Sequence, residues 1–356
     1  MANATLWGFT NLKDIMGQRV TTVNTRVLNT AIDASLAEHN RQMAALLGLF
    51  ATRLTDYQLG YKSASARRLQ PLDEQGRARP TKSGALTTVA FPLQSGGDAF
   101  GQTFVARAKQ TVQEVNDELA NMLTGDMRWM RDHLLASLFS NVAWTWLDEQ
   151  YGSLTIQPLA NGDATLYQIL NGADAGATDT HYLADSNSIA DAHNPYPTIY
   201  TELSQHPENA GPYIALIPTD LVATTEALTG FYEKPMPELT AGSGVTQLTA
   251  TLGMAVPGTV IGWAGGMWIV EWDSLPSTYI VAVAGGAPVK ALGLREDLEP
   301  ELRGFQRVAE RDDHPYYESQ YLRRAGFGGY NRVGAVCMRI GNGSYSIPVG
   351  YSAPIP

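Results

Sequence analysis

The 356-residue chain has a single cysteine, Cys337, which excludes an intramolecular disulfide and any cluster of metal-binding thiolates. It has no run approaching about 18 apolar residues, so hydropathy gives no membrane-spanning helix. Charged residues make up 17% of the chain, and bases are the scarcer kind, 25 against 35 acids, for a formal net charge of -10. A protein that grips nucleic acid or an anionic membrane through its surface needs the opposite balance. Residues 1–19 lack the basic start and continuous apolar core of a secretory signal, because Asn3, Thr5, Asn11, Lys13 and Asp14 interrupt them. These absences predict a protein made in the cytosol.

Templates for catalysis are missing too. The glycine run opening at Gly326 would need glycine at its sixth position to read as a dinucleotide loop, and that position is Asn331, with no Gly-Lys-Ser/Thr after it. Close backbone packing is the better reading of such a run beside a strand. Ser243 and Ser344 sit among glycines, but neither has glycine at both the second preceding and second following positions that a nucleophile elbow needs. Cys337 lies in an apolar strand pattern, as a small core residue does. The histidines His39, His133, His181, His193, His206 and His314 are scattered, with no pair at ligand spacing. No catalytic, cofactor-binding or metal residue is therefore assigned. Trp144 with Trp146, and Trp263 with Trp268 and Trp272, suit core or interface packing, or else a glycan platform.

What is present is length enough for more than one core, and a segregation of charge. Between Tyr61 and Gln110, Lys62, Arg67, Arg68, Arg77, Arg79, Lys82, Arg107 and Lys109 face only Asp73, Glu74 and Asp98. From Ala160 to Ala250, eleven acids meet only Lys234. Opposite charge in separate regions suits a molecule that packs against its own copies.

Periodicity supplies the elements. Val23 to Phe50 carries apolar residues at helical spacing, behind an arm, 1–22, without a period. Tyr61 to Gly84 is polar and basic with Pro71, Gly76 and Pro80 as turn formers, and Leu86 to Leu93 alternates as a strand that Pro92 confines to an edge, so a projecting basic hairpin is predicted. Arg107 to Gln150 keeps helical spacing throughout, giving one spine of roughly 65 Å or two helices meeting at Gly125. Leu154 to Leu159 and Ala164 to Leu170 flank Asn161-Gly162-Asp163 as a hairpin. Helices are predicted at Thr219 to Leu228 and Ser243 to Leu252, with strands at Tyr213 to Ile217, Thr259 to Trp263, Met267 to Trp272, Tyr279 to Ala284, Arg332 to Ile340 and Tyr345 to Val349. The class is α+β, ending in a positive cluster at Arg323, Arg324, Arg332 and Arg339.

This order of elements resembles the major capsid proteins of tailed bacteriophages, the Hong Kong 97 fold. The resemblance is carried locally by Tyr317-Glu-Ser-Gln-Tyr-Leu-Arg-Arg-Ala-Gly-Phe-Gly-Gly-Tyr-Asn-Arg-Val-Gly334, and by Val89-Ala-Phe-Pro-Leu93 followed by Phe100-Gly-Gln-Thr103. It implies an N-terminal arm and helix (1–60), an extended E-loop (61–106), a peripheral domain with its spine helix and hairpin (107–193), an axial domain (194–300) and a peripheral return (301–356). It implies a structural subunit, not an enzyme, that assembles into pentamers and hexamers as an icosahedral shell around double-stranded DNA in the host bacterial cytoplasm. Partners would be other copies, scaffold and portal proteins and a decoration protein. Contacts between subunits are expected of Lys62, Arg67, Arg68, Arg77, Arg79, Lys82, Arg323 and Arg324. Some members join a hairpin lysine to an asparagine, for which Lys62 or Lys82 and Asn331 or Asn342 are the candidates. An encapsulin-type compartment shell resembles the same fold, and a glycan-binding or hydrolytic enzyme is the alternative of another class.

Overall fold

The computed structural model describes residues 17–23, 25–62, 71–77, 86–171, 177–233, 255–313 and 316–355. The chain divides into two compact units, one of Met1–Ala44, Gln94–Arg131 and Glu296–Ala325, the other of Ala45–Leu93, Asp132–Arg295 and Gly326–Pro356.

In the first unit the helix Thr25–Leu47 buries Leu28, Leu36 and Met43 along one face, the stripe that the sequence period requires. The long helix Val112–Phe139 begins in a reciprocal capping box. The Glu114 carboxylate accepts from Thr111 N at 2.8 Å, and Thr111 Oγ1 accepts from Glu114 N at 3.3 Å. It runs unbroken through Gly125, which settles the choice between one helix and two. Its length is shorter than the helical spacing suggests, about 42 Å at 1.5 Å per residue. A separate short helix, Phe104–Lys109, precedes it. Beyond it, in the second unit, Trp144–Asp148 is a strand, because Trp144 and Trp146 turn to one side and Thr145 and Leu147 to the other, a period of two. An antiparallel sheet completes the first unit, with Tyr316–Ala325 of the strand Tyr316–Gly329 between Gln94–Thr103 and Phe305–Asp313. Its apolar core gathers Leu36, Leu119, Met122, Phe305 and Tyr321.

In the second unit a seven-stranded sheet holds the main core. In spatial order its strands are Tyr182–Asp185, Ala335–Ile340, Tyr279–Ala284, Tyr213–Ile217, Met267–Glu271, Thr259–Ala264 and Tyr232–Glu233. Every residue of Tyr279–Ala284 is buried, as befits a strand covered on both faces. Tyr196, Ile199 and Leu203 of the helix Tyr196–Ser204 pack into the same core, and a further helix spans Thr219–Glu226.

Several sequence expectations are corrected. The hairpin here is Trp144–Asp148 with Gly152–Ile156, not the segments flanking Asn161-Gly162-Asp163. Gly162 does turn, at φ +78°, but its flanks bridge elsewhere, Asn161 to Thr180 and Tyr167 to Ala177. Residues 345–349 form no strand; Tyr345 instead donates its hydroxyl to the Phe139 carbonyl at 2.8 Å. The helix predicted at 243–252 lies outside the described residues.

The glycine run at 326 continues its strand where backbones crowd. A Cβ on Gly326 would stand 2.3 Å from Pro92 O, and one on Gly328 2.6 Å from Ala90 O. Gly101, in the paired strand Gln94–Thr103, has nothing within 4 Å. Gly328→Val should therefore destabilise by about 1–3 kcal/mol through overpacking, whereas Gly101→Ala should be neutral or slightly stabilising, as read from urea unfolding midpoints.

Candidate assembly surface

Sequence places a basic projection between two strands, and the structure gives it a rigid root. Gln58–Lys62 and Leu86–Ala90 pair antiparallel from Gln58 with Ala90 to Lys62 with Leu86. Phe91, fully buried, continues from this ladder, its N–H bonded to Tyr57 O at 2.9 Å. The buried Arg295 guanidinium donates to Phe91 O at 2.9 Å and to Asp148 Oδ2 at 2.7 Å. Tyr57 stacks on Tyr151 with ring centroids 3.7 Å apart. Burial works to raise the Asp148 pKa, but the Gln150 amide and Arg295 outweigh it, so the carboxyl titrates below its ordinary range. The hairpin base is thus tied by a buried ion pair to the turn of the neighbouring hairpin.

Toward the tip, residues 71–77 are all exposed and form a tight turn. Asp73 Oδ1 accepts from Gln75 N at 3.0 Å and Arg77 N at 2.7 Å, with Gly76 at φ +75°. Arg77 is exposed on this turn, and Lys62 closes the paired base. Arg67, Arg68, Arg79 and Lys82 lie outside the described residues.

The C-terminal positive cluster is dispersed. Arg323 is buried with its guanidinium on Asp126, which also takes a 2.7 Å bond from His39 Nε2. Its expected role between subunits is corrected to one within the chain. Asn40 reinforces the same centre by exchanging two hydrogen bonds with the backbone of Phe305, at 2.8 and 3.0 Å. Burial favours protonated Asp126, yet His39 and Arg323 together hold its pKa below the usual carboxylate value. Arg324 pairs with Asp297 at 3.2 Å and keeps part of its surface exposed. Arg332, 1% exposed, donates to Pro158 O, Leu159 O and Asp163, fixing the Asn161–Asp163 turn. Asn331 donates to Asn209 Oδ1 at 3.1 Å, and Asn342 Oδ1 accepts from Ser344 N.

A second exposed feature lies where the sheet of the first unit ends. Tyr316 pairs with Thr103, and the next residues, Phe104 and Val105, open the short helix that Thr103 caps. All three apolar side chains are more than 60% exposed, and the Arg107 guanidinium lies 3.7 Å over the Tyr317 ring. Large apolar side chains gathered at one end of a sheet mark a surface that gains by being covered.

The chemical alternatives fare differently. Cys337 is fully buried, its pKa pushed up by desolvation and its Sγ bonded to Leu138 O, so it does not present a nucleophile. Trp263 packs edge-on against Trp268 across paired strands, and Trp144 and Trp146 lie against Ala90, Leu154 and Ile156. The histidines are not all scattered: His181 and His206, far apart in sequence, face each other beside Asp179. Ligand spacing along the chain carried no sign of this, because the residue just before one strand and a residue just after one helix deliver the two rings from separate segments.

Among solved structures the chain matches one from Mycobacterium phage Patience with a TM-score of 0.68 at 20% identity, over 99% of each chain. Its fold is that of a chain from a mycobacterial phage. The capsid of a native GTA particle is less similar, with a TM-score of 0.47 at 10% identity over 84% of this chain and 90% of that one. The mature capsid of bacteriophage PhiM1 gives 0.45 at 8% identity over 82% and 85%. No protein-family model and no curated protein matches the chain. No helix among the described residues is long and apolar enough to cross a membrane.

Its buried contacts with Arg323 and His39 make Asp126 a sensitive position in the first unit. Asp126→Ala leaves the buried Arg323 without its anion and should cost about 3–5 kcal/mol, measured by chemical unfolding. The sign of the pH effect follows from the lowered pKa. The stabilisation from Asp126 is complete above the ordinary carboxylate range and is lost as pH falls through its depressed folded value. Acid unfolding of the wild type should accordingly be steeper than that of the Ala variant.

Proposed function

We propose that the chain is the repeating shell subunit of a tailed-phage capsid with the Hong Kong 97 fold, assembling into pentamers and hexamers around packaged double-stranded DNA. The observation that carries this reading is the end-to-end likeness to the Mycobacterium phage Patience chain, 99% of both chains at a TM-score of 0.68. The role is structural, not catalytic. The segments keep the assignments of arm and helix (1–60), E-loop (61–106), peripheral domain (107–193 and 301–356) and axial domain (194–300).

Physical features of the chain support the same reading. A basic hairpin on an ion-paired root is a lever that keeps its direction while its tip meets a neighbour, and exposed Arg77 supplies charge at that tip. The complementary surface is acidic: residues 160–250 hold eleven acids and one lysine. Where that surface meets the lumen it repels DNA and so keeps the packaged duplex from adhering. Phe104, Val105 and Tyr316 form an apolar contact that a neighbouring subunit buries. Many such contacts repeated around a closed shell give stability beyond any single one. Scaffold, portal and decoration proteins are the further partners of this reading. A lysine–asparagine cross-link through Asn331 or Asn342 would have to break the bonds these side chains make within the chain.

Negative-stain microscopy of the purified protein tests the proposal: hollow shells or hexameric rings are expected, and persistent monomers under all conditions would sink it. Val105→Asp, with unchanged circular dichroism, should reduce the assembled fraction at least about tenfold, as loss of a buried apolar contact does.

A further inference from the structure

Asp179, His181 and His206 bring three potential ligand atoms within 4.8 Å of one another. His181 immediately precedes the edge strand Tyr182–Asp185, and His206 follows the helix Tyr196–Ser204. Both rings are buried, and the Asp179 side chain is 12% exposed.

Hydrogen bonding fixes which nitrogens face inward. His181 Nδ1 lies 2.8 Å from Ala335 O, and His206 Nδ1 lies 2.9 Å from Gln168 O. A carbonyl only accepts, so each Nδ1 is the donor there and each Nε2 is the ring nitrogen left to face the other side. Those two Nε2 atoms are 3.2 Å apart, and Asp179 Oδ2 lies 2.9 Å from the one on His206 and 3.7 Å from the one on His181. Two imidazole nitrogens and a carboxylate oxygen therefore converge on one point, an arrangement that a metal ion or a shared proton would satisfy. The Gln205 amide supports the set by donating to Asp179 Oδ2 at 2.9 Å and to Glu202 Oε2 at 2.8 Å.

The separations discriminate between cations. Ligands bonded at about 2.0–2.1 Å to a tetrahedral zinc ion stand roughly 3.3 Å from one another, and the three distances here bracket that value. Histidines that bind such an ion usually donate their other ring N–H to a backbone carbonyl or a carboxylate, as both Nδ1 atoms do here. We propose that Asp179, His181 and His206 bind a divalent transition-metal ion of the zinc class, with the fourth position open to water on the Asp179 side. The ion staples the segment after the helix Tyr196–Ser204 to the start of the outermost strand of the seven-stranded sheet. An edge strand is the part of a sheet that most needs such pinning.

The test uses the untagged full-length protein, as free subunits and as assembled particles, equilibrated with zinc chloride, passed through a desalting column and assayed by elemental mass spectrometry. About one zinc per chain is expected in the wild type and less than about a tenth of that in His206→Gln and Asp179→Asn. Zinc should raise the thermal midpoint of the wild type by several degrees and a chelator should reverse it, so a variant that fails to fold does not end the test. Zinc below about a tenth per chain, with an unmoved midpoint, would mean that the two rings share a proton, and would overturn the proposal. Stoichiometric zinc retained by both variants would overturn it equally, whether or not the protein forms shells.

Discussion

A guanidinium taken out of water must bring an anion, and three arginines in this chain meet that demand by binding segments distant in sequence. Arg295 joins Asp148 to the Phe91 carbonyl at the root of the basic hairpin. Arg323 joins the middle strand of a sheet to Asp126 on the long helix. Arg332 gathers Pro158, Leu159 and Asp163 around one turn. Each position is intolerant because loss of either partner strands a charge, and each fixes a direction that apolar packing alone leaves free.

These ties matter most where apolar burial is scarce. The basic hairpin contributes little apolar burial at its tip, where residues 71–77 are exposed throughout. Its direction is set at the root, by the Arg295 pair and the stack of Tyr57 on Tyr151. The long helix gains direction likewise, from a capping box at one end and the Asp126 centre midway. The seven-stranded sheet is held differently, by continuous apolar strands in its middle and a histidine–aspartate cluster at one edge.

Periodicity read the regular elements well where one face is apolar. Thr219–Glu226, Tyr213–Ile217 and Tyr279–Ala284 stand where spacing put them. It failed where two periods fit the same residues. The apolar spacing through Trp146 suited a helix, yet Trp144 and Trp146 pack on Leu154 and Ile156 as neighbours in a sheet. A basic cluster also looks alike in sequence whether its members face solvent or an internal aspartate, so Arg323 and Arg332 read as surface charge. Lone histidines carry no mark of a partner twenty-five residues away.

The sequence by itself determined the class of structure and the segregation of charge, because local period and composition are properties of neighbouring residues. Only the tertiary structure decided which charges are buried, which strands pair and which rings meet. Those outcomes depend on long-range pairing, where the desolvation of a single arginine or the approach of two backbones at Gly326 selects one arrangement among many that local patterns permit.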